Sequence, residues 1–309
     1  MKRLSICCAV LLLGGVVVAQ QPGAPTQTPS SPPAAGSGTE KPAAAPAGKT
    51  APQAKSQPEF DAYKAAMNSA NDPAAMEKAA DDFTAKFPKS ELAPILYRTA
   101  MHGYQNANNA EKMEQMGRKT LTFDPNDPEA LLGVAEVVVE RTQESDLDRD
   151  QKLDEAAKLA QHATETAETD ISIPAGTPQE KVDAYKNFLR SSAYAVLGTV
   201  AFNQQKFPDA QGFFEKSIQT FPAQPDPVVV LRLALALDRQ NKYPEALKQA
   251  NRAVELTQDS SPAGKLARQE RDRLTQLTGA SAAPAGAAPA GTAPGTPATP
   301  PAGTTPNPH

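Results

Sequence analysis

A motif that occurs twice limits the folds open to this sequence more than any other feature. Lys206-Phe207-Pro208-Asp209-Ala210 returns as Lys242-Tyr243-Pro244-Glu245-Ala246. Around both copies, small and apolar residues recur at spacings of three, four and seven, which places them on one face of a helix. These residues are Tyr194, Leu197, Gly198, Ala201, Ala210, Phe214 and Ser217 in the first copy, and Val230, Leu233, Ala234, Leu237, Ala246, Ala250 and Ala253 in the second. Two helices joined by a short turn and repeated about every 34 residues predict a solenoid of helical hairpins.

The two copies resemble tetratricopeptide repeats. The positions that match the apolar, small and helix-ending signature of that family are Leu197, Gly198, Ala210 and Pro222. The second copy departs from it, with Ala234 in place of the glycine and Gln258 in place of the proline. The strongest repeats are residues 191–224 and 227–260. The resemblance implies an all-α tetratricopeptide-repeat solenoid that binds a protein or peptide on its concave face.

Weaker copies extend the array upstream, over residues 60–88, 91–125 and from Leu131 onward. Asp-Pro pairs at Asp72, Asp127 and Asp226 each predict a helix start, because the carboxylate can cap the helix and proline suits its first position. We expect a repeat domain over residues 59–278 that ends in a more polar capping helix, 261–277. A linker at 169–177 interrupts the array, and the helix after it is predicted to run over 178–204.

Both ends of the chain differ in composition from this domain. Residues 1–19 have a charged start, an apolar run and small residues before Gln20, which is typical of a cleaved secretory signal peptide. Residues 20–58 and 279–309 are rich in Pro, Ala, Gly and Thr and are predicted to be disordered. Cys7 and Cys8 lie inside the signal, ahead of most of the apolar run, so lipidation is not expected. We therefore expect a periplasmic or secreted protein of the exported bacterial type, which is not stably inserted in a membrane after the signal is cleaved.

Charge and motifs exclude several classes of function. The net charge is −4, and the predicted domain is more acidic still, which argues against binding to phosphate backbones. We therefore expect no nucleic-acid partner. The sequence contains no zinc-protease, nucleophile-elbow or phosphate-loop motif, and its histidines are isolated. No enzyme activity, catalytic residue or cofactor is predicted.

One local pattern of acidic residues suggests a different class of function. Asp146, Asp148 and Asp150 alternate as at the start of a calcium-binding EF-hand loop. Gln151 stands where that loop needs glycine, and Ala157 where it needs a glutamate that binds through both oxygens. An acidic loop that leads into a helix explains the same residues, so no metal ligand is assigned. A calcium-responsive structural protein that uses residues 146–155 remains the alternative of another class.

The predicted partner-binding residues lie on two neighbouring helices. Val228, Leu231 and Leu235 form a second apolar stripe beside the one that the hairpin needs, and the stripe leads into Asp238 and Arg239. Family members place this face in the groove, although the same spacing also fits packing between helices. The partner-binding positions on the preceding helix are Thr199, Phe202 and Asn203.

The function most compatible with these features is a non-catalytic scaffold of the bacterial cell envelope. It would bind a protein or peptide, of unknown identity, in the concave groove. An accessory factor in envelope or outer-membrane protein assembly is the alternative within the same class.

Overall fold

A computed structural model of the chain describes residue 49, residues 51–174 and residues 176–281. The predicted signal peptide lies outside these residues, as do most of the predicted linker and most of the predicted tail. The eleven helices of the described residues are α1 Gln57–Met67, α2 Pro73–Lys86, α3 Ala93–Asn106, α4 Ala110–Phe123, α5 Pro128–Arg141, α6 Arg149–Thr169, α7 Gln179–Asn203, α8 Phe207–Thr220, α9 Pro227–Asp238, α10 Tyr243–Glu255 and α11 Pro262–Ser281.

The helices form a solenoid of hairpins, so the predicted fold class is confirmed. Every helix contacts the next one along the chain, and short turns pair α1 with α2, α3 with α4, α5 with α6, α7 with α8, and α9 with α10. The last helix, α11, packs against α9 and α10 at the end of the array. It runs to Ser281, past the predicted end of the capping helix at Leu277. The architecture is that of a tetratricopeptide-repeat-like array.

Local sequence explains where several helices begin. The side chain of Asp72 accepts a hydrogen bond from the Ala74 amide at 2.9 Å. Asp127 does the same for Ala130 at 2.9 Å, and Asp226 for Val228 at 2.8 Å. Each bond satisfies an amide that the helix itself leaves without a partner. The helix starts predicted at the three Asp-Pro pairs are therefore confirmed.

The turns inside three hairpins share one backbone geometry. Asn108, Gln205 and Asn241 each lie two residues before the next helix and have positive φ angles of 54°, 60° and 59°. The amide that follows each of them donates to the carbonyl five residues back, as Lys206 does to Ala201 at 2.9 Å. This is the left-handed helix ending that closes a helix and reverses the chain.

The core lies between the helices and depends on small side chains. Ala210, Ala246 and Ala250 on the outer helices α8 and α10 are fully buried. Phe214 is fully buried too and lies where Gly198 of α7 has no side chain. These residues allow the two helices of a hairpin to pack closely.

The long helix predicted after the linker is present. α7 begins at Gln179 and has 25 residues, against 14 for its hairpin partner α8. It contacts α5 and α6 on one side and α8 and α9 on the other. α7 therefore joins the first half of the array to the second.

Residue 49 and residues 51–58, which belong to the predicted linker, lie against the solenoid. α1 begins at Gln57 rather than Glu59, because Ser56 caps it by accepting from the Glu59 amide at 3.3 Å. Ala54 packs against the first core cluster. Lys49 donates its amide to the carbonyl of Ile171 at 3.2 Å, and its ammonium lies 2.7 Å from Asp124. The segment therefore crosses the loops that connect successive hairpins.

Candidate functional site

The inner surface of the solenoid is formed by the odd-numbered helices. α1 contacts α3, α3 contacts α5, α5 contacts α7, α7 contacts α9, and α9 contacts α11. Within the part of the chain that the structure describes, no two even-numbered helices make comparable contact. The row whose members approach one another lies on the inside of a curved array, so the odd-numbered helices form its concave face.

The structure places most of the predicted apolar stripe in the interior. Val228 and Leu231 on α9 expose 9% and 4% of their surface. Leu231 belongs to the core cluster that also contains Phe214 and Leu274, and the half-buried Leu235 packs against the same cluster. The core alternative that the sequence left open is therefore favoured. Val228 and Leu231 offer almost no surface to a partner, because neighbouring helices already cover them.

The charged residues after this stripe, Asp238 and Arg239, make contacts within the chain. The Asp238 carboxylate lies 2.6 Å from the guanidinium of Arg273, which joins α9 to α11. Arg239 is exposed, and its guanidinium lies 6.0 Å from the centre of the Phe207 ring. Asp238 thus has a structural partner within the chain, while Arg239 remains accessible.

The predicted residues of α7 separate into two places. Thr199 lines the concave side and accepts a hydrogen bond from Arg232 of α9 at 2.9 Å. The ring of Phe202 packs edge-on against Phe207 at 5.4 Å. Asn203 lies at the turn edge, where its carbonyl accepts from Arg149. An open polar cleft of about 280 Å³ is found there, lined by Glu144, Arg149, Asn203, Gln204 and Gln205.

A small cavity opens on the concave face between three odd-numbered helices. Its volume is about 30 Å³. Glu136 and Glu140, one turn apart on α5, line one wall, because residues four apart share a helix face. Ser192 and Thr199 of α7 form a second wall. The third wall consists of Asp226, Val229 and Arg232, at the start and on the inner face of α9.

The charges around this cavity are not balanced. Burial, together with Glu140 and Asp226, raises the pKa of Glu136 to about 7, and Arg232 only partly opposes this effect. Burial also raises the pKa of Glu140. Among the described residues, no ion pair involves Glu136, Glu140 or Asp226, and the guanidinium of Arg232 is hydrogen-bonded to Thr199. Three carboxylates therefore share one cation that none of them contacts directly.

A second polar cluster on the same face is internally paired. The guanidinium of Arg98 on α3 lies 2.5 Å from Asp127 and 3.6 Å from Glu129. The imidazole of His102 lies 3.0 Å from Glu129, which also accepts from Tyr185 of α7. Although burial opposes ionisation, Arg98 and these hydrogen bonds hold the pKa of Glu129 well below its usual range. This cluster ties α3, α5 and α7 together.

The acidic loop that resembles a calcium site is occupied by a lysine. The ammonium of Lys152 lies 3.0 Å from Asp146 and 2.9 Å from Asp148. Asp150 pairs with Arg149 at 3.4 Å. Over residues 51–174 and 176–281, no three His, Cys, Asp or Glu side chains are grouped so that they could hold a metal ion.

The sequence missed the residues of the concave cavity, apart from Thr199. Glu136 and Glu140 were not among the predicted residues, and Asp226 was predicted only as the start of a helix. The signal that could have found them is the i, i+4 pair of glutamates on an otherwise apolar helix. None of the described helices is long and apolar enough to cross a membrane.

Comparison with known proteins gives no family assignment. No family model matches the chain, and no curated protein matches it. Among solved structures, the assembly chaperone of RpL4 (Acl4) aligns with a TM-score of 0.38 and 14% identity, over 72% of this chain and 98% of that one. The APC/C hetero-tetramer Cut9–Hcn1 aligns with a TM-score of 0.31 and 14% identity, over 72% of this chain and 45% of that one. At this level of similarity, neither protein's role is transferred to this chain.

The class of protein is defined by the molecule's own geometry. Stacked helix hairpins, an inner row of odd-numbered helices and small residues at the hairpin contacts make it a tetratricopeptide-repeat-like solenoid.

Proposed function

We propose that this protein is a non-catalytic interaction scaffold that binds a protein or peptide segment on the concave face of α5, α7 and α9. The observation that carries the proposal is the cavity between these helices, whose carboxylates have no ion-pair partner among the residues that the structure describes. Glu140 is exposed, but Glu136 and Asp226 are half-buried, and a half-buried charge without a counter-charge destabilises the folded chain. A cationic ligand would offset that cost. The apolar stripe expected to provide affinity is largely internal, so polar contacts would direct recognition.

The proposal also covers the localisation of this scaffold in the cell. The charged start, the apolar run and the small residues before Gln20 support export and cleavage after Ala19. We therefore infer a periplasmic or secreted bacterial protein, with assistance in envelope or outer-membrane protein assembly as the alternative role. Mass spectrometry of the mature protein should find Gln20 at its N-terminus. Recovery of intact Met1 would contradict export by this route.

Site-specific photo-crosslinking tests the proposed binding face. A photoreactive residue is placed at Ser192, on the concave wall of α7, and in a separate variant at the exposed Gln219 of α8. Illumination in the native host should give a discrete adduct at position 192 and none at position 219. Adducts of equal yield at both positions, or at position 219 alone, would show that the concave face of these helices is not the binding surface.

A further inference from the structure

Two polar clusters on one concave face differ in how their charges are matched. Around Glu129, the carboxylates have Arg98, His102 and Tyr185 as direct partners. Around Glu136, no cation lies within ion-pair distance in the described part of the chain. The comparison shows that this fold can neutralise inward-facing carboxylates with its own side chains. At the second cluster, Glu136 and Glu140 have no such partner among the described residues, and Asp226 accepts a hydrogen bond from the Val228 amide.

Arg232 lines the cavity, but in the described part of the chain it forms no ion pair with the carboxylates. Arg232 donates to Thr199 at 2.9 Å. Its charge still weakens the repulsion among Glu136, Glu140 and Asp226, since it lowers the pKa of Glu136 and of Glu140. With all three carboxylates ionised, a deficit of positive charge remains at the cavity. A ligand that supplies it would gain attraction in a partly desolvated site, where charges interact more strongly than in water.

The size of the cavity limits which cationic group of a ligand can enter it. A cavity needs roughly 10–15 Å³ to hold one water molecule. The volume of this cavity is about 30 Å³, which suits a small group. A primary ammonium is a compact point charge with three donors, whereas a guanidinium is a wide planar fork. Carboxylates on two sides and the hydroxyls of Ser192 and Thr199 on the third can accept from three diverging N–H groups.

We propose that the cavity between α5, α7 and α9 binds the ammonium of a lysine side chain on a basic partner segment. This inference rests on the proposed function and specifies the chemistry of its partner.

The protonation state of Glu136 gives the interaction a pH dependence. The groups that face it are Glu140 on α5 and Asp226 and Arg232 from α9, while α7 contributes only the hydroxyls of Ser192 and Thr199. Lysine remains charged below about pH 10. Glu136 loses its proton near pH 7, so affinity should rise by up to about tenfold between pH 6 and pH 8.

Fluorescence anisotropy with defined peptides tests this proposal on the full chain. The probe is a labelled peptide of alternating lysine and alanine, with an arginine version and an acetyl-lysine version as controls. Measurements at about 150 mM salt suppress long-range attraction to an acidic protein. The site variant is Glu136→Gln with Glu140→Gln. The matched control, Asp154→Asn with Glu255→Gln, removes two exposed carboxylates from the outer helices α6 and α10.

The lysine peptide should bind the wild type more tightly than the arginine peptide, and the acetyl-lysine peptide should not bind. The site variant should lose about tenfold or more in affinity and its pH dependence, while the control variant stays within about twofold. Equal losses in both variants, or preferred binding of arginine, would overturn the lysine assignment. Absence of lysine binding alongside a persistent crosslink at Ser192 would refute this inference and leave the proposed function standing.

Discussion

At the scale of single residues, Gly198 shows how one missing side chain sets the distance between two helices. A Cβ atom at this position would lie 2.5 Å from two atoms of the Phe214 ring. Gly198 and Ala210 match the repeat signature in the sequence, and the residue that packs against Gly198 is Phe214, one turn beyond Ala210 on α8. Ala210 is fully buried on the same face. Both residues therefore belong to one hairpin interface, but only Phe214 fills the space above the glycine.

The substitution Gly198→Ala should lower the free energy of unfolding by about 1–3 kcal/mol, because the new methyl group overlaps the buried ring. Gly212→Ala on α8 is the matched control, since its Cβ would meet nothing within 4 Å. That control should be neutral or stabilising by up to about 1 kcal/mol, through the higher helix propensity of alanine. Urea denaturation of both variants measures the difference. Equal stability of the two would mean that Phe214 can move aside at no cost.

Glu136 provides a second prediction at this scale, because its pKa is raised to about 7 in the folded chain. A carboxyl group with a raised pKa binds its proton more tightly when folded. It therefore costs stability as the pH rises from its unfolded pKa, about 4.3, through 7. Glu136→Gln should raise the free energy of unfolding at pH 8 by about 1–3 kcal/mol and have little effect near pH 4.

Thermal unfolding of the Glu136→Gln variant and the wild type across this pH range provides the measurement. Asp154→Asn serves as the control, because its exposed carboxylate should change the melting temperature little at any pH. A melting temperature of Glu136→Gln that falls below wild type at pH 8 would contradict the assigned charge imbalance.

At the scale of elements, one of the hairpin turns contains a strained backbone conformation that a substitution could relieve. Gln205 adopts a φ angle of 60°, a conformation that asparagine tolerates better than glutamine and glycine adopts freely. Asn108 and Asn241 occupy the equivalent place in two other hairpins. The same turn is thus made three times, and only once with a residue poorly suited to it.

Gln205→Gly should raise the free energy of unfolding by about 0.5–1 kcal/mol, since relief of the left-handed strain exceeds the added freedom of the unfolded chain. Asn241→Gly should gain less, because asparagine already accepts this conformation. Differential scanning calorimetry of the two variants compares them directly. A loss of stability on Gln205→Gly would show that the side chain, rather than the backbone, matters at this turn.

The elements were more predictable from the sequence than the site. Apolar periodicity and Asp-Pro caps act over a few neighbouring residues, so the hairpins and the length of α7 could be inferred before the structure was known. The cavity combines α5, α7 and α9, whose side chains meet only when the solenoid curves. The stripe with Leu231 had the spacing of both a groove and a core, and only its neighbours on other helices decide between the two.

At the scale of the whole molecule, the repeat array begins earlier than its first helix. The buried carboxylate of Glu59 accepts from Ser90 at 2.5 Å and from the Lys55 amide at 2.6 Å. The residue that caps α1 and one donor to this carboxylate thus lie in a segment whose composition predicted disorder. Composition missed them because Lys55 and Ser56 act through single hydrogen bonds rather than through apolar area.

A chain that starts at Glu59 should be less stable than one that starts at Gly48, by about 1–3 kcal/mol. It loses the cap of α1 and leaves the buried Glu59 with fewer donors. The chain from Gly48 should melt with the full-length protein. Circular dichroism melts of the three chains provide the test. Equal melting temperatures for the Glu59 and Gly48 chains would mean that the segment before α1 contributes nothing to the fold.

The length of α7 has a consequence for how this molecule comes apart. Arrays of short repeats can lose their ends one unit at a time, because each unit depends only on its neighbours. Here one helix contacts α5, α6, α8 and α9, and residues such as Phe213 touch the core clusters on both sides of it. Neither half can separate without breaking the packing of the other. We therefore expect the protein to unfold in a single cooperative transition, under force or on heating, rather than one repeat at a time from either end.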